Sequence, residues 1–251
     1  MGNPRLYIDQ PLGPGQEAGL DAAQAHYLGG VMRLAPGDAI EAFNARDGAW
    51  RARIVALGRR GGRLAAEAQT APPRMPPDLW LLFAPIKKAR TDFIVEKATE
   101  LGCARILPVA TDFTQPGRIA RDRLQAHAVE AAEQCGGTYV PEVAGLQPLA
   151  RLLDGWDPGR RILWADESLA GPAETLAGLP RGPWAILVGP EGGFSEAERA
   201  RLRGMAAVSP VSLGPRVLRA DTAAVAAIAL WQATLGDWTD APEPDAAGQH
   251  K

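Results

Sequence analysis

The chain has 251 residues, 46% of them hydrophobic and 22% charged, and its 27 basic side chains against 29 acidic ones leave a formal charge of -2. That length holds one large domain or two modest ones, and the composition excludes a disordered or fibrous chain. The near-neutral total argues mildly against a nucleic-acid binder, yet the charge is uneven: residues 1–75 carry nine arginines and seven acids, net +2, and residues 76–251 carry 18 basic and 22 acidic groups, net -4.

From the N-terminus, Met1-Gly2-Asn3-Pro4-Arg5 lacks the charged-then-apolar pattern of a secretory leader. No apolar run approaches the roughly 18 residues of a membrane span, so a cytoplasmic chain without membrane contact is expected. Short apolar runs follow at 5–8, 38–43 and 50–55, punctuated by Pro36-Gly37-Asp38, Asp47-Gly48 and Gly61-Gly62. Asp-Gly between two such runs signals a hairpin, because tight hairpin turns need residues that accept positive φ. Residues 1–71 are therefore expected to form a small β-barrel. Four prolines stand between Ala71 and Pro77, each lacking the N–H and free φ of regular structure, and residues 72–77 read as an inter-domain linker.

After the prolines the rhythm changes. Apolar runs at 79–84, 105–109, 161–165, 185–188 and 208–213 suit strands buried on both faces. They alternate with helix-like segments at 87–101, 118–135, 196–205 and 222–235, which predicts a mainly parallel α/β sheet with helices on both faces over residues 78–238. Trp164, Trp184 and Trp231 read as core, and residues 239–251, rich in Pro, Asp and Ala, as a disordered tail. Cys103 and Cys135 have no C-x-x-C spacing and His26, His127 and His250 are scattered, so neither a disulfide framework nor a metal site is expected. Cys135, before Gly136-Gly137, reads as a helix end with glycine at C′.

Chemistry concentrates in two turns. In Leu187 to Glu198 a buried strand runs into Gly189-Pro190-Glu191-Gly192-Gly193, and Ser195 with Glu198 makes a capping box that opens a helix. Ligands of open α/β sheets sit beyond the carboxyl ends of the strands, where glycines let the backbone approach them closely. The spacing matches neither G-x-G-x-x-G nor a Gly-Lys-Ser/Thr phosphate loop, so the turn reads as a nucleoside cradle or as a plain β-α turn that needs glycine. The second turn, Ser212 to Ala224, places Gly214, Arg216, Arg219 and Asp221 before a helix with Asp221 or Thr222 as cap. It reads either as a site or as a capped helix with two solvated arginines. Lys87, Lys88 and Arg90, after the first strand of the large domain, suit phosphate contacts or a solvated face.

Four segments, Phe93 to Val109, Ala131 to Gly136, Leu187 to Glu198 and Leu213 to Thr222, resemble in order and spacing the RsmE-type 16S rRNA uridine-N3 methyltransferases of the SPOUT class. His26-Tyr27-Leu28, Val31-Met32-Arg33-Leu34 and Pro36-Gly37-Asp38 are similar to that family's N-terminal PUA-like barrel. The resemblance implies a trefoil-knotted parallel sheet that binds S-adenosyl-L-methionine, works as a homodimer and acts on 16S rRNA, with the small ribosomal subunit as its setting. Carried over by motif, Val188, Gly189, Glu191, Gly192 and Gly193 form one cofactor loop. Leu213, Gly214, Leu218, Arg219 and Thr222 form the other, and Glu167 lines a further loop.

The chemistry implied is loss of the uridine N3 proton while N3 takes a methyl group, so charge spreads onto the flanking carbonyls and a fixed cation stabilises it. Arg219 is the first candidate and Arg216 the second, with Asp221 orienting Arg219 or accepting the proton. Arg33, Lys87, Lys88 and Arg90 are the expected RNA contacts. Asp221 stands where the family usually has Glu, Gly137 where Arg is frequent, and Asp112-Phe113-Thr114 where Glu-Arg and Ser or Cys are common. The same features also fit an enzyme of this class with another RNA target, or a non-catalytic RNA-binding assembly factor.

Overall fold

The structure, a computed structural model, describes residues 3–115, 117–166, 176 and 178–239. The first sheet contains β1 (Arg5–Tyr7), β2 (Glu17–Leu20), β3 (Ala39–Asn44), β4 (Gly48–Gly58) and β5 (Gly61–Ala71), in the order β1-β3-β4-β5-β2. Helix α1 (Ala22–His26) and one π-helical turn (Tyr27–Val31) fill the connection from β2 to β3. The β1–β3 pair is parallel and the others antiparallel. Three register shifts along β4 and β5 sharpen the local twist, and the curled sheet buries Leu28, Ile40, Ile54 and Leu64. The Asp47-Gly48 turn forms as expected. Gly48 has φ +79°, and a Cβ there would lie 2.2 Å from the Ala71 carbonyl oxygen, so glycine is required twice over.

The second sheet contains β6 (Leu79–Phe83), β7 (Arg105–Ala110), the two-residue strands β8 (Glu142–Val143) and β9 (Gln147–Pro148), β10 (Arg161–Ala165), β11 (Trp184–Val188) and β12 (Val208–Val211). Its order is β12-β10-β11-β6-β7-β8, with β9 also on β7, and every pairing is parallel. Among the described residues five α-helices cover it: α2 (Lys88–Glu100), α3 (Arg121–Cys135), α4 (Leu149–Asp154), α5 (Glu196–Gly204) and α6 (Ala220–Thr234). Because successive strand residues point to opposite faces, Leu81, Leu163 and Ile186 pack with Ile94, Leu124 and Ile228 of α2, α3 and α6. Their neighbours Leu82, Ile162 and Leu187 pack with Leu149, Leu153 and Leu202 of α4 and α5. Helices on both faces were expected, and Trp164, Trp184 and Trp231 are core.

Some boundaries differ from expectation. Strand β12 ends at Val211, leaving Ser212 and Leu213 to the turn, and α3 starts at Arg121. Helix α6 starts at Ala220 behind an extended Arg219 that makes no side-chain cap bond. Asp221 therefore sits inside the first turn, where its carboxylate accepts the Thr222 N–H at 3.0 Å, a position favoured by the exposed amides of a helix start. At the other end of its helix, Cys135 is followed by Gly136 in the left-handed conformation, as read.

The two sheets meet at the C-terminal end of α3. Arg5 donates to the carbonyls of Ala132 (3.2 Å) and Gly137 (3.0 Å), and the Tyr7 N–H donates to Glu133 at 3.0 Å. Burial pushes the Glu133 carboxyl above its ordinary range. Residues 72–77 hold neither helix nor strand, but the Arg74 N–H donates to Thr138 Oγ1 at 2.9 Å, so this segment is tied down along the same seam. Among the described residues no helix is long and apolar enough to cross a membrane. The expected tail, residues 239–251, lies beyond them except for Thr239, which ends the last helical turn, Asp237–Thr239.

Candidate active site

Three parallel strands, β12, β10 and β11, lie side by side, so their carboxyl ends deliver three loops to one edge, where open α/β sheets bind ligands. A cleft there is lined by Val188, Gly189, Glu191, Gly192 and Gly193 from the loop after β11. Leu213, Gly214, Arg216 and Leu218 line it from the loop after β12, and Ala165 and Asp166 from the end of β10. The two glycine turns singled out in the sequence thus share one space. Arg219 and Thr222 stand outside this lining, exposed at the start of α6. Glu167 lies outside the described residues.

The first turn is fastened on several sides. The capping box is complete: the Glu198 N–H donates to Ser195 Oγ at 3.3 Å and the Ser195 N–H to Glu198 at 2.9 Å. Ser195 Oγ also donates to Asp112, whose own N–H donates to Glu198, which ties the loop after β7 to the start of α5. Phe194 is buried with its ring edge-on to Trp164, centroids 5.8 Å apart. A Cβ on Gly189 would lie 2.6 Å from the Phe194 ring, so this glycine is needed for packing as well as for backbone access. Phe113, 48% exposed, covers Gly192, where a Cβ would meet its Cβ at 3.3 Å.

Arg90 of α2 spans the two turns. Its guanidinium lies 2.6 Å from the Glu191 carboxylate and 3.8 Å from that of Asp221. Its charge is therefore committed to the site instead of being held out to solvent, and Asp221 faces Arg90. Lys87 and Lys88 are exposed and line shallow grooves, Lys87 with Phe113 and both lysines with Arg118. Arg33 lies on the first sheet's side of the molecule, exposed, after the π-helical turn.

The Asp166 carboxylate, with 1% of its side chain exposed, lines the cleft and pairs with Arg199 of α5 at 2.8 Å. It was not among the expected residues, although a carboxylate directly after a buried strand at the binding edge is a usable signal. Burial pushes the Cys103 thiol far above its ordinary range, which keeps it a neutral core group. Among the described residues no three His, Cys, Asp or Glu side chains are arranged to hold a metal ion.

Comparison with known proteins agrees with this architecture. An RNA methyltransferase domain family matches residues 73–232, and an RNA methyltransferase PUA domain family matches residues 20–64. Ribosomal RNA small subunit methyltransferase E of Rickettsia conorii is 30% identical over 229 residues, covering 90% of this chain and 93% of the relative. The chain belongs to the ribosomal RNA small subunit methyltransferase E family. The family member from Synechocystis is 31% identical, covering 86% of this chain and 73% of its own. Among solved structures, the family member from Neisseria gonorrhoeae bound to S-adenosyl methionine overlays with a TM-score of 0.86 at 28% identity, over 94% of this chain and 100% of that one. A putative methyltransferase from Legionella pneumophila in complex with the same cofactor overlays at 0.83 with 26% identity, over 94% and 100%. In this member of the methyltransferase E family the exposed Phe113 rests on Gly192 of the turn whose Gly189 the core packing requires.

Proposed function

We propose that this chain is an S-adenosyl-L-methionine-dependent methyltransferase that acts on N3 of a uridine in 16S rRNA within the small ribosomal subunit, as a cytoplasmic homodimer. The observation that carries the reading is the convergence of the two glycine turns on one cleft, with Arg216 inside it and Arg219 at its edge. The domain limits proposed are 1–71 for the PUA-like barrel and 78–238 for a trefoil-knotted catalytic domain, joined by 72–77.

The cleft suits that cofactor. Val188, Leu213, Leu218 and Ala223 offer an apolar wall to a flat adenine and the glycine turns offer open backbone, while the Asp166 carboxylate, already paired with Arg199 and near Arg203, fixes the end of β10 behind them. When bound, the cofactor supplies a methyl group on a positively charged sulfur. Thr222 and Glu167 complete the proposed cofactor set.

Uridine N3 sits on the pairing edge, so the target base must be unpaired or extruded. Arg219 makes no ion pair among the described residues, and from the edge of the cleft it stabilises the charge that spreads onto the uracil carbonyls. Arg216 reinforces it from inside. Asp221, oriented by Arg90, accepts the N3 proton. Lys87, Lys88 and Arg33 contact phosphates, whereas Arg90 acts by holding the two turns together.

The test is incubation with methyl-labelled cofactor and small subunits from a strain lacking this enzyme, followed by nucleoside mass spectrometry. N3-methyluridine in 16S rRNA is expected. Label in tRNA or large-subunit RNA alone would replace the substrate, and cofactor binding with no transfer to any RNA would remove the enzyme reading.

A further inference from the structure

Pro190, Glu191 and Gly192 line two spaces, so their turn is the wall between them. One space is the cleft between the two glycine turns. The other is a groove whose sides are Pro85, Ile86 and Lys87 on one flank and Asp112, Phe113 and Thr114 on the other. Phe113 rests against Gly192, its Cβ, Cγ and Cδ2 lying 3.3, 3.7 and 3.8 Å from where a side chain on that glycine would begin. One side of the ring is thus held by the turn. The residue is nevertheless 48% exposed, and among the described residues no aromatic ring or cation covers it.

A lone exposed phenylalanine carries no message by itself, but its surroundings do. Both carboxylates of the groove are engaged: Asp112 accepts the Ser195 hydroxyl, and Glu191 pairs with Arg90. Past Lys87 the groove continues into a second one, which shares Pro85, Ile86 and Lys87 and adds Lys88 and Arg118. Among the described residues no acid lines that second groove, Glu196 at the start of α5 lines neither, and Arg123 is already paired with Asp92. Lys87, Lys88 and Arg118 are exposed and make no ion pair among the described residues. At its other end the groove reaches Glu191, whose partner Arg90 also faces Asp221. An uncovered ring and a row of uncompensated cations therefore lead up to the mouth of the cleft.

We propose that Phe113 is the platform on which the base next to the target uridine stacks, with Lys87 on that nucleotide's phosphate. Extruding a uridine bares the face of its neighbour in the stack, and a ring fixed on one side and open on the other replaces the lost contact. The reacting base is not the occupant, because the turn from Pro190 to Gly192 stands between the groove and the cleft. Lys88 and Arg118 continue the line of charge to further phosphates. The proposal rests on the RNA-methyltransferase reading and names a residue that positions the substrate for it.

The experiment measures methyl transfer to small subunits from a strain lacking the enzyme, with the KM for subunit and for cofactor determined separately. Phe113→Ala is expected to raise the subunit KM about five- to a hundredfold, the usual effect of losing one stacked base. The kcat and the cofactor KM stay near their wild-type values, because a contact kept throughout the reaction changes binding alone. Phe113→Tyr restores the subunit KM. Phe113→Leu, which covers Gly192 with apolar bulk but offers no flat face, does not. If the ring only braces the cofactor turn, the cofactor KM rises and Leu rescues as well as Tyr, which overturns the proposal. Photoreactive p-benzoylphenylalanine placed at position 113 gives a second reading. A cross-link to 16S rRNA beside the methylated uridine supports the proposal, whereas a cross-link to a second copy of the chain makes the groove a subunit contact and overturns it. Either failure leaves the enzyme reading standing while the wild type still methylates 16S rRNA; a wild-type chain that methylates no RNA removes both.

Discussion

The two glycine turns that close on the cleft are held in opposite ways. The turn after β11 is pinned by the capping box, by Asp112, by Arg90 on Glu191 and by Phe194 packed on Trp164. Among the described residues the turn after β12 has one short-range side-chain bond, the Gly214 N–H to Ser212 Oγ at 3.3 Å, and a looser 3.8 Å contact from Arg90 to Asp221 just beyond it, and carries Val217 at 82% exposed with Arg216 and Arg219 also exposed. A cradle for a small ligand gains from prepaid rigidity, because ordering it on binding would cost affinity. A segment that must meet a large, variable surface needs free side chains. The first turn is accordingly assigned to the rigid part of the cofactor cradle, and the second, whose Leu213 and Leu218 complete that cradle, to meeting the base through Arg219.

The largest effect expected from this division is at Arg219. Arg219→Ala should lower single-turnover methylation at saturating cofactor and RNA by about 10²–10³-fold, the usual result of losing a charge-stabilising donor. Arg216→Ala, which removes the reinforcing cation from the cleft lining, should also slow transfer, by less than Arg219→Ala does. Near-native turnover for Arg219→Ala would hand the catalytic role to Arg216 and blur the contrast between cleft and mouth.

The pinned turn is tested next through packing. Gly189→Ala places a methyl in the Phe194 ring, and overpacking of this kind costs about 1–3 kcal/mol. Thermal or denaturant unfolding should report that loss, and calorimetry should report weaker cofactor binding. An unchanged stability would mean that Phe194 swings aside freely and that the turn is not rigid. Ser195→Ala removes the cap and the link to Asp112 together and should cost about 1 kcal/mol. The equivalent change on the loose side, Ser212→Ala, should barely register.

What could be read from the sequence follows the range of the interactions. Both glycine turns, the capping box, the end of α3 at Gly136 and the buried tryptophans are visible because each is specified by a few neighbouring residues. Arg90 on Glu191 joins residues 101 apart in sequence, and Asp112 reaches Ser195 across 83. A charge run at a helix start gives no hint of such partners, so Arg90 reads as a phosphate contact until the fold brings Glu191 and Asp221 to it. Asp166 was missed for a different reason: its place after a buried strand is legible, but its place in the cleft is not. Its meaning depends on β10 lying between β12 and β11, and strand order is a property of topology that local pattern does not carry. The start of α6 shifted because Asp221 competes for two good positions, cap and first turn, and residue type alone does not choose between them.

The smallest expected effect tests the bridge between the turns. Arg90 is partly exposed, and exposed ion pairs contribute only about 0–1 kcal/mol to stability, so Arg90→Gln should leave the unfolding midpoint nearly unchanged. Its consequence should appear in kinetics instead. Without the guanidinium, Glu191 and Asp221 lose their common partner, and the pinned turn no longer sets the position of the first turn of α6. The KM for cofactor should rise a few-fold through Glu191, and kcat should fall through Asp221, with Arg90→Lys recovering the first more than the second because a single ammonium reaches the nearer carboxylate at 2.6 Å better than the farther one at 3.8 Å. If Arg90 were instead an RNA contact, Arg90→Gln would raise the KM for RNA, reduce the salt slope of RNA binding by about 1 and leave the cofactor KM alone. The two outcomes separate a residue that joins a firmly fastened turn to a loosely fastened one from one that simply adds charge to the surface.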